Sequence, residues 1–120
     1  MTKGQIESKI SEAVSKFEIE QMGRGPEKIK TTIVQDLIII RLTGFLSKSE
    51  KSLAESKDGI DLIKKVRMAL FENALGRLID AVKGIIDIEI VSTHSDVSTK
   101  TGEKIIVFVS SSNIEEIINK

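Results

Sequence analysis

Apolar residues recur at steps of three and four through the first segment. Ile6, Ile10, Ala13, Val14 and Phe17 share one stripe, while Glu7, Lys9, Glu12 and Lys16 take the other side. That is the period of an amphipathic helix. The helix is expected to stop at Met22-Gly23-Arg24-Gly25-Pro26, because glycine just past a helix with proline soon after ends it.

The period then drops to two. From Lys28 to Val34, Ile29, Thr31 and Ile33 alternate with Lys30 and Thr32, and after Gln35-Asp36 the run Leu37 to Leu42 is almost wholly apolar. This reads as a hairpin, although Gln-Asp is not a favoured pair for a tight primed turn. Ser47 followed three residues later by Glu50 has the capping-box form and predicts a short helix to about Ala54. A long helix is expected from near Asp58 to about Gly84. Its stripe would be Ile63, Val66, Leu70, Ala74, Leu78 and Val82, widened by Leu62, Leu75 and Ile79. A third strand begins where Ile86, Ile88 and Ile90 alternate with Asp87 and Glu89. A polar turn, Ser98 to Glu103, leads to a fourth strand from Lys104 to Ser110. Asn113 is placed to cap a last short helix carrying Ile114, Ile117 and Ile118.

The order α-β-β-α-β-β-α predicts one α+β domain spanning residues 1–120. The second and fourth strands are apolar at both parities, whereas the first and third alternate. Strands covered on both faces belong in the middle of a sheet, so a four-stranded antiparallel sheet of order 1-2-4-3 is expected. The long helix should cover one face; the N-terminal helix or a second subunit should cover the other. Apolar area left open marks an interface, hence the expectation of a homodimer.

Composition narrows the function classes. Lys and Arg together equal Asp and Glu, eighteen each, and there is neither Trp nor Tyr. Binding to nucleic acid draws most of its affinity from a basic excess and, for single strands, from aromatic platforms. Neither is present, so no nucleic-acid partner is expected. One histidine and no cysteine argue against a metal site and exclude thiol chemistry. No cofactor motif and no nucleophile elbow is present. The longest apolar run, Ile105 to Val109, falls far short of the ~20 residues of a membrane-spanning helix. With no apolar signal core after the N-terminus, the chain is expected to be cytoplasmic and not inserted in a membrane.

Two clusters carry candidate chemistry. Alternation places Ile86, Ile88, Ile90, Ser92, His94 and Asp96 on one face of the third strand, so the core face would turn polar at one end. Asp96 there is placed to orient His94 as a base or ligand-binding pair. The plain alternative is a strand end projecting into solvent. In the Met22–Pro26 loop, Arg24 and glycine N–H groups suit a carboxylate or phosphate, and the plain alternative is a helix exit. Arg41, late in an apolar strand, either pairs with a carboxylate or reaches out of an interface, and a structural ion pair is the commoner explanation. Lys64, Lys65 and Arg67, set among Asp58, Asp61 and Glu72, read as a solvated helix face. No catalytic residue is assigned.

Three stretches together carry a family resemblance: Phe17–Pro26 (FEIEQMGRGP), Leu46–Ala54 (LSKSEKSLA) and Val91–Phe108 (VSTHSDVSTKTGEKIIVF). The chain resembles the MpsC family, small bacterial proteins formerly classed as a domain of unknown function. The family name refers to a sodium-translocating, membrane-potential-generating system. The resemblance therefore implies a non-enzymatic accessory or regulatory role exercised through protein partners. It also adds weight to Arg24, His94, Asp96 and Thr99, which lie in the matching stretches, as ligand-binding candidates. The alternative function is a small-molecule or anion-binding protein, or an enzyme, with a site at His94, Asp96 and Arg24.

Overall fold

The computed structural model describes residues 1–119. The chain runs α1 (Lys3–Met22), β1 (Lys28–Val34), β2 (Leu37–Thr43), α2 (Lys48–Leu53), α3 (Lys57–Lys83), β3 (Ile90–Ser98), β4 (Glu103–Ser110) and α4 (Ile114–Ile118). Local signals set most boundaries. Gly23 closes α1 in the left-handed conformation at φ 79°, its N–H donating to the Ile19 carbonyl. Ser47 and Glu50 form the expected capping box of α2. Asn113 accepts from the Glu116 N–H and caps α4.

The sheet is antiparallel with order β1-β2-β4-β3, as the two-sided apolar strands required. Ile38 pairs with Phe108 and Ile40 with Ile106 across the β2–β4 centre. One parity of β2 and β4 is buried, as are Thr31 and Ile33 of β1 and Val97 of β3. Ile33, Ile38, Ile40, Leu42, Ile106 and Phe108 are fully covered. They share one cluster with Ile10, Val14 and Phe17 of α1 and with Phe71, Ala74, Leu78 and Val82 of α3.

Both long helices therefore lie on the same face of the sheet, which corrects the alternative that the N-terminal helix would cover the far side. Two layers suffice to bury one face, because α1 and α3 pack side by side, with Phe17 and Phe71 edge to face at 6.5 Å.

Two local expectations also change. The buried line of α3 runs Gly59, Ile63, Arg67, Phe71, Ala74, Leu78 and Val82. Leu62 and Val66, expected on the core stripe, are more than half exposed. Helical period lets only one line face the sheet, and the line through Phe71 won, carrying Arg67 inside with it. Ile86 and Ile88 are buried as expected but precede the paired strand, which begins at Ile90.

The N-terminal half of α3 is held by a smaller cluster of Phe45, Leu46, Ile63 and Val97. Here α2 comes so close to α3 that a Cβ on Gly59 would stand 1.7 Å from the Leu53 carbonyl oxygen. Only glycine fits that contact.

Candidate functional site

β3 lies at one edge of the sheet, and α3 runs beside it. Between them is a groove of about 380 Å³. Its helical wall carries Lys64, Met68, Glu72 and Leu75, its strand wall is residues 93–97, and Arg67, Phe71 and Lys104 form its floor. Antiparallel pairing sends alternate backbone groups of an edge strand away from its neighbour. The Val97 N–H points this way, since it donates to the carboxylate of Asp96 at 2.8 Å rather than to β4.

The floor is unusual for a core. Lys104 and Glu18 are joined at 2.8 Å with only 4% of either side chain exposed, and the ammonium lies 4.9 Å from the centre of the Phe71 ring. Arg67 grips both oxygens of Glu50, at 2.8 and 2.6 Å. It also donates to the Phe45 carbonyl and stacks over the Phe45 ring at 4.6 Å. Burial alone would raise the Glu50 carboxyl. The Arg67 hydrogen bonds, the Ser47 N–H and the guanidinium charge together outweigh it and hold that carboxyl below the usual carboxylate range.

Glu18, Arg67 and Lys104 were not singled out from the sequence as site residues. The signal was there in the periods. Arg67 stands four residues from both Ile63 and Phe71 on the core line, Lys104 shares the parity of Ile106 and Phe108, and Glu18 follows Phe17 on the buried side of α1. A charge in an apolar stripe calls for a buried partner.

The sequence-derived candidates separate. His94 and Asp96 line the groove. They do not continue the core face as alternation from Ile86 suggested. A register shift between Ile90 and Ser92 makes Val91 an extra residue, and such a bulge reverses the parity of everything after it. Thr93, Ser95 and Val97 take the core-facing positions, and Ser92, His94 and Asp96 take the opposite face. Asp96 lies 3.7 Å from Lys64, and among the described residues no hydrogen bond joins it to His94. Arg24 lies elsewhere. Its guanidinium donates to the carbonyls of Leu46 at 2.7 Å and Gly44 at 3.1 Å, tying the exit of α1 to the chain after β2. Thr99 sits in the β3–β4 turn. The carboxylate expected beside Arg41 is Glu103, at 2.6 Å.

A second surface is the sheet face turned away from the helices. Leu37 and Ile39 of β2 and Ile105, Val107 and Val109 of β4 are adjacent in register and only partly covered. Lys28 and Lys30 of β1 are exposed at the same parity on one flank. Among the described residues, no helix is long and apolar enough to cross a membrane.

A family model described as "Na+-translocating membrane potential-generating system (MpsC)" matches residues 2–112. The chain is 36% identical over 119 residues to the uncharacterized protein YbcI of Bacillus subtilis (strain 168), covering 99% of this chain and 96% of that one. It is 25% identical over 108 residues to the uncharacterized protein YrhF of the same organism, covering 89% and 88%. No solved structure gives a significant match.

Proposed function

We propose, from the premise that the chain belongs to the MpsC family, that it is a non-enzymatic accessory subunit of a sodium-translocating, membrane-potential-generating system. It works on the cytoplasmic side by docking a protein partner on the open face of its sheet. The observation that carries this reading is the apolar strip of Leu37, Ile39, Ile105, Val107 and Val109, left without a second layer while both long helices crowd the other side.

Covering what remains exposed of a partly covered aliphatic side chain contributes roughly 0.5 kcal/mol, a fraction of the value of full burial. Five together are enough to bias docking once the cost of association is met. Lys28 and Lys30 on the β1 flank state the chemistry of the occupant: an amphipathic helical surface whose apolar stripe is edged with carboxylates on that side. Such a helix would complete a three-layer α/β/α arrangement.

The test is co-expression with the membrane subunits of the system. The wild-type chain is expected to co-purify with them, Val107→Glu to be lost from the complex, and Lys30→Glu to bind more weakly and with less dependence on salt. Recovery of the chain without those subunits under mild extraction would overturn the reading.

A second reading rests on the groove, which His94 and Asp96 line together with Lys64, Arg67 and Lys104. It takes a small anionic ligand there. Titration of inorganic phosphate and of small dicarboxylates against the His94 ring resonances tests it, and a spectrum that does not move sinks it.

A further inference from the structure

We propose that the protein forms a two-fold dimer in which the free edge of β3 pairs, antiparallel and centred on Ser95, with β3 of a second copy. Two four-stranded sheets then join into one of eight strands.

The two edges of the sheet are treated differently. The hairpin end of the β1 edge is capped by the chain itself. Glu7 of α1 accepts from the Ile33 N–H at 2.8 Å, Glu115 of α4 accepts from the Gln35 N–H, and the Ile114 N–H donates to the Gln35 carbonyl. At β3 the outward set is Thr93, Ser95 and Val97. Among the described residues, the single side-chain bond to that set is the one the Val97 N–H makes to the carboxylate next to it. Unpaired edge groups on a regular strand are a template for another strand.

The regular part of β3 is self-complementary. It is bounded by the bulge at Val91 and by the turn that begins at Thr99. Residues 92–98 lie between, and their midpoint is Ser95. In an antiparallel pair, outward-facing residues oppose outward-facing residues. A two-fold axis through Ser95 therefore sets Thr93 against Val97 of the second copy, and His94 against Asp96 of the second copy. The second pairing places an imidazole across from a carboxylate, twice, at exposed positions. Complementary polar side chains directly across a ladder favour the register, and two like groups there do not. The Val97 N–H passes to a carbonyl of the incoming strand, and Asp96 is released toward the imidazole.

The wall beside the edge obeys the same symmetry. Lys64, Met68 and Glu72 lie one turn apart on α3 along the groove. An axis perpendicular to the sheet runs the two α3 helices antiparallel, and about Met68 it sets Lys64 of each copy toward Glu72 of the other. Met68, 56% exposed, then meets its equivalent. An unrelated strand would have no reason to match both palindromes. The dimer uses neither Leu37 nor Val107. It stands apart from the docking face proposed above and presents that face twice.

The test is sedimentation equilibrium at micromolar to high-micromolar concentration. The wild type is expected to be a dimer. Ser95→Pro blocks the edge without removing a β4 ladder bond, because the Ser95 N–H points outward, and is expected to be a monomer with an unchanged circular dichroism spectrum. His94→Asp and Asp96→His, which put like groups opposite one another, should each weaken the dimer by about tenfold or more. The double variant carrying both should recover it. The proposal is overturned by a monomeric wild type, or by a double swap no stronger than the singles. A dimer lost through Val107→Glu but kept in both charge variants also overturns it, since the open face would then be the interface. So does a monomer whose Ser95→Pro variant loses the system's membrane subunits, which would give the edge to a partner strand.

Discussion

Lys104→Met removes a buried positive charge while keeping nearly the same length of side chain, so it isolates electrostatics from cavity formation. In the folded protein the Lys104 ammonium and the Glu18 carboxylate meet at 2.8 Å. At an effective dielectric near 20, unit charges that close attract by roughly 6 kcal/mol, and desolvation of both groups offsets much of it. Removing one partner forfeits the attraction and leaves the desolvation of the other. The expected loss is therefore about 3–5 kcal/mol, a large part of the ~5–15 kcal/mol that holds a domain folded. Replacing both at once, Glu18→Met with Lys104→Met, leaves no orphan charge and is expected to lie within about 1 kcal/mol of the wild type or above it. The chain has no Trp or Tyr, so urea unfolding is followed by far-ultraviolet circular dichroism. With a slope of about 1–3 kcal/mol per molar, the single variant should lower the midpoint by roughly 2 M. A Lys104→Met midpoint within about 0.5 M of the wild type, or a double variant as weak as the two losses added, would refute the reasoning.

The other expectations are local. Gly59→Ala should cost more than ~2 kcal/mol, since its Cβ must push α2 away from α3; an unchanged melting temperature would show that α2 yields freely. Glu50 has a carboxyl held below its ordinary value in the fold. Its stabilising contribution is therefore complete above the unfolded carboxylate pKa of about 4.3 and fades as pH falls below it toward the depressed folded value. Glu50→Gln should flatten that acid limb of the stability–pH curve, and a curve parallel to the wild type would contradict it. Gln35 stands at φ 58°, the one non-glycine residue in that region among those described. Gln35→Gly should be neutral or stabilising by up to ~1 kcal/mol, the relief of strain set against the added entropy of the unfolded chain; a clear loss would show that the side chain itself is needed.

Arg24 illustrates how a loop rich in functional signals is used for structure. Glycines, a proline and a guanidinium suggested an anion site, and the cap half of that reading is what Gly23 does. The guanidinium finds its acceptors in two carbonyls of the chain after β2. Carbonyls freed at a strand end leave no trace in sequence, because every residue has one.

Periodicity determined the elements, their order and the sheet topology. Amphipathic spacing, the Ser47 and Asn113 caps and the Gly23 stop depend on contacts within a few residues, which the sequence specifies directly. The two-sided apolar character of β2 and β4 was enough to put them in the centre, because an edge strand has no use for it. What lay beyond the sequence depended on contacts between distant segments. The bulge at Val91 reversed the parity of β3 and moved His94 and Asp96 off the core side, a one-residue change that alternation does not register. The choice of one line of α3 over its neighbour brought Arg67 inside and left Leu62 and Val66 out, since two stripes of similar hydropathy differ only in what they meet. Whether a charge is buried depends on whether another part of the chain brings the opposite charge to it. Glu18 and Lys104, 86 positions apart, become partners only when α1 is laid across the sheet.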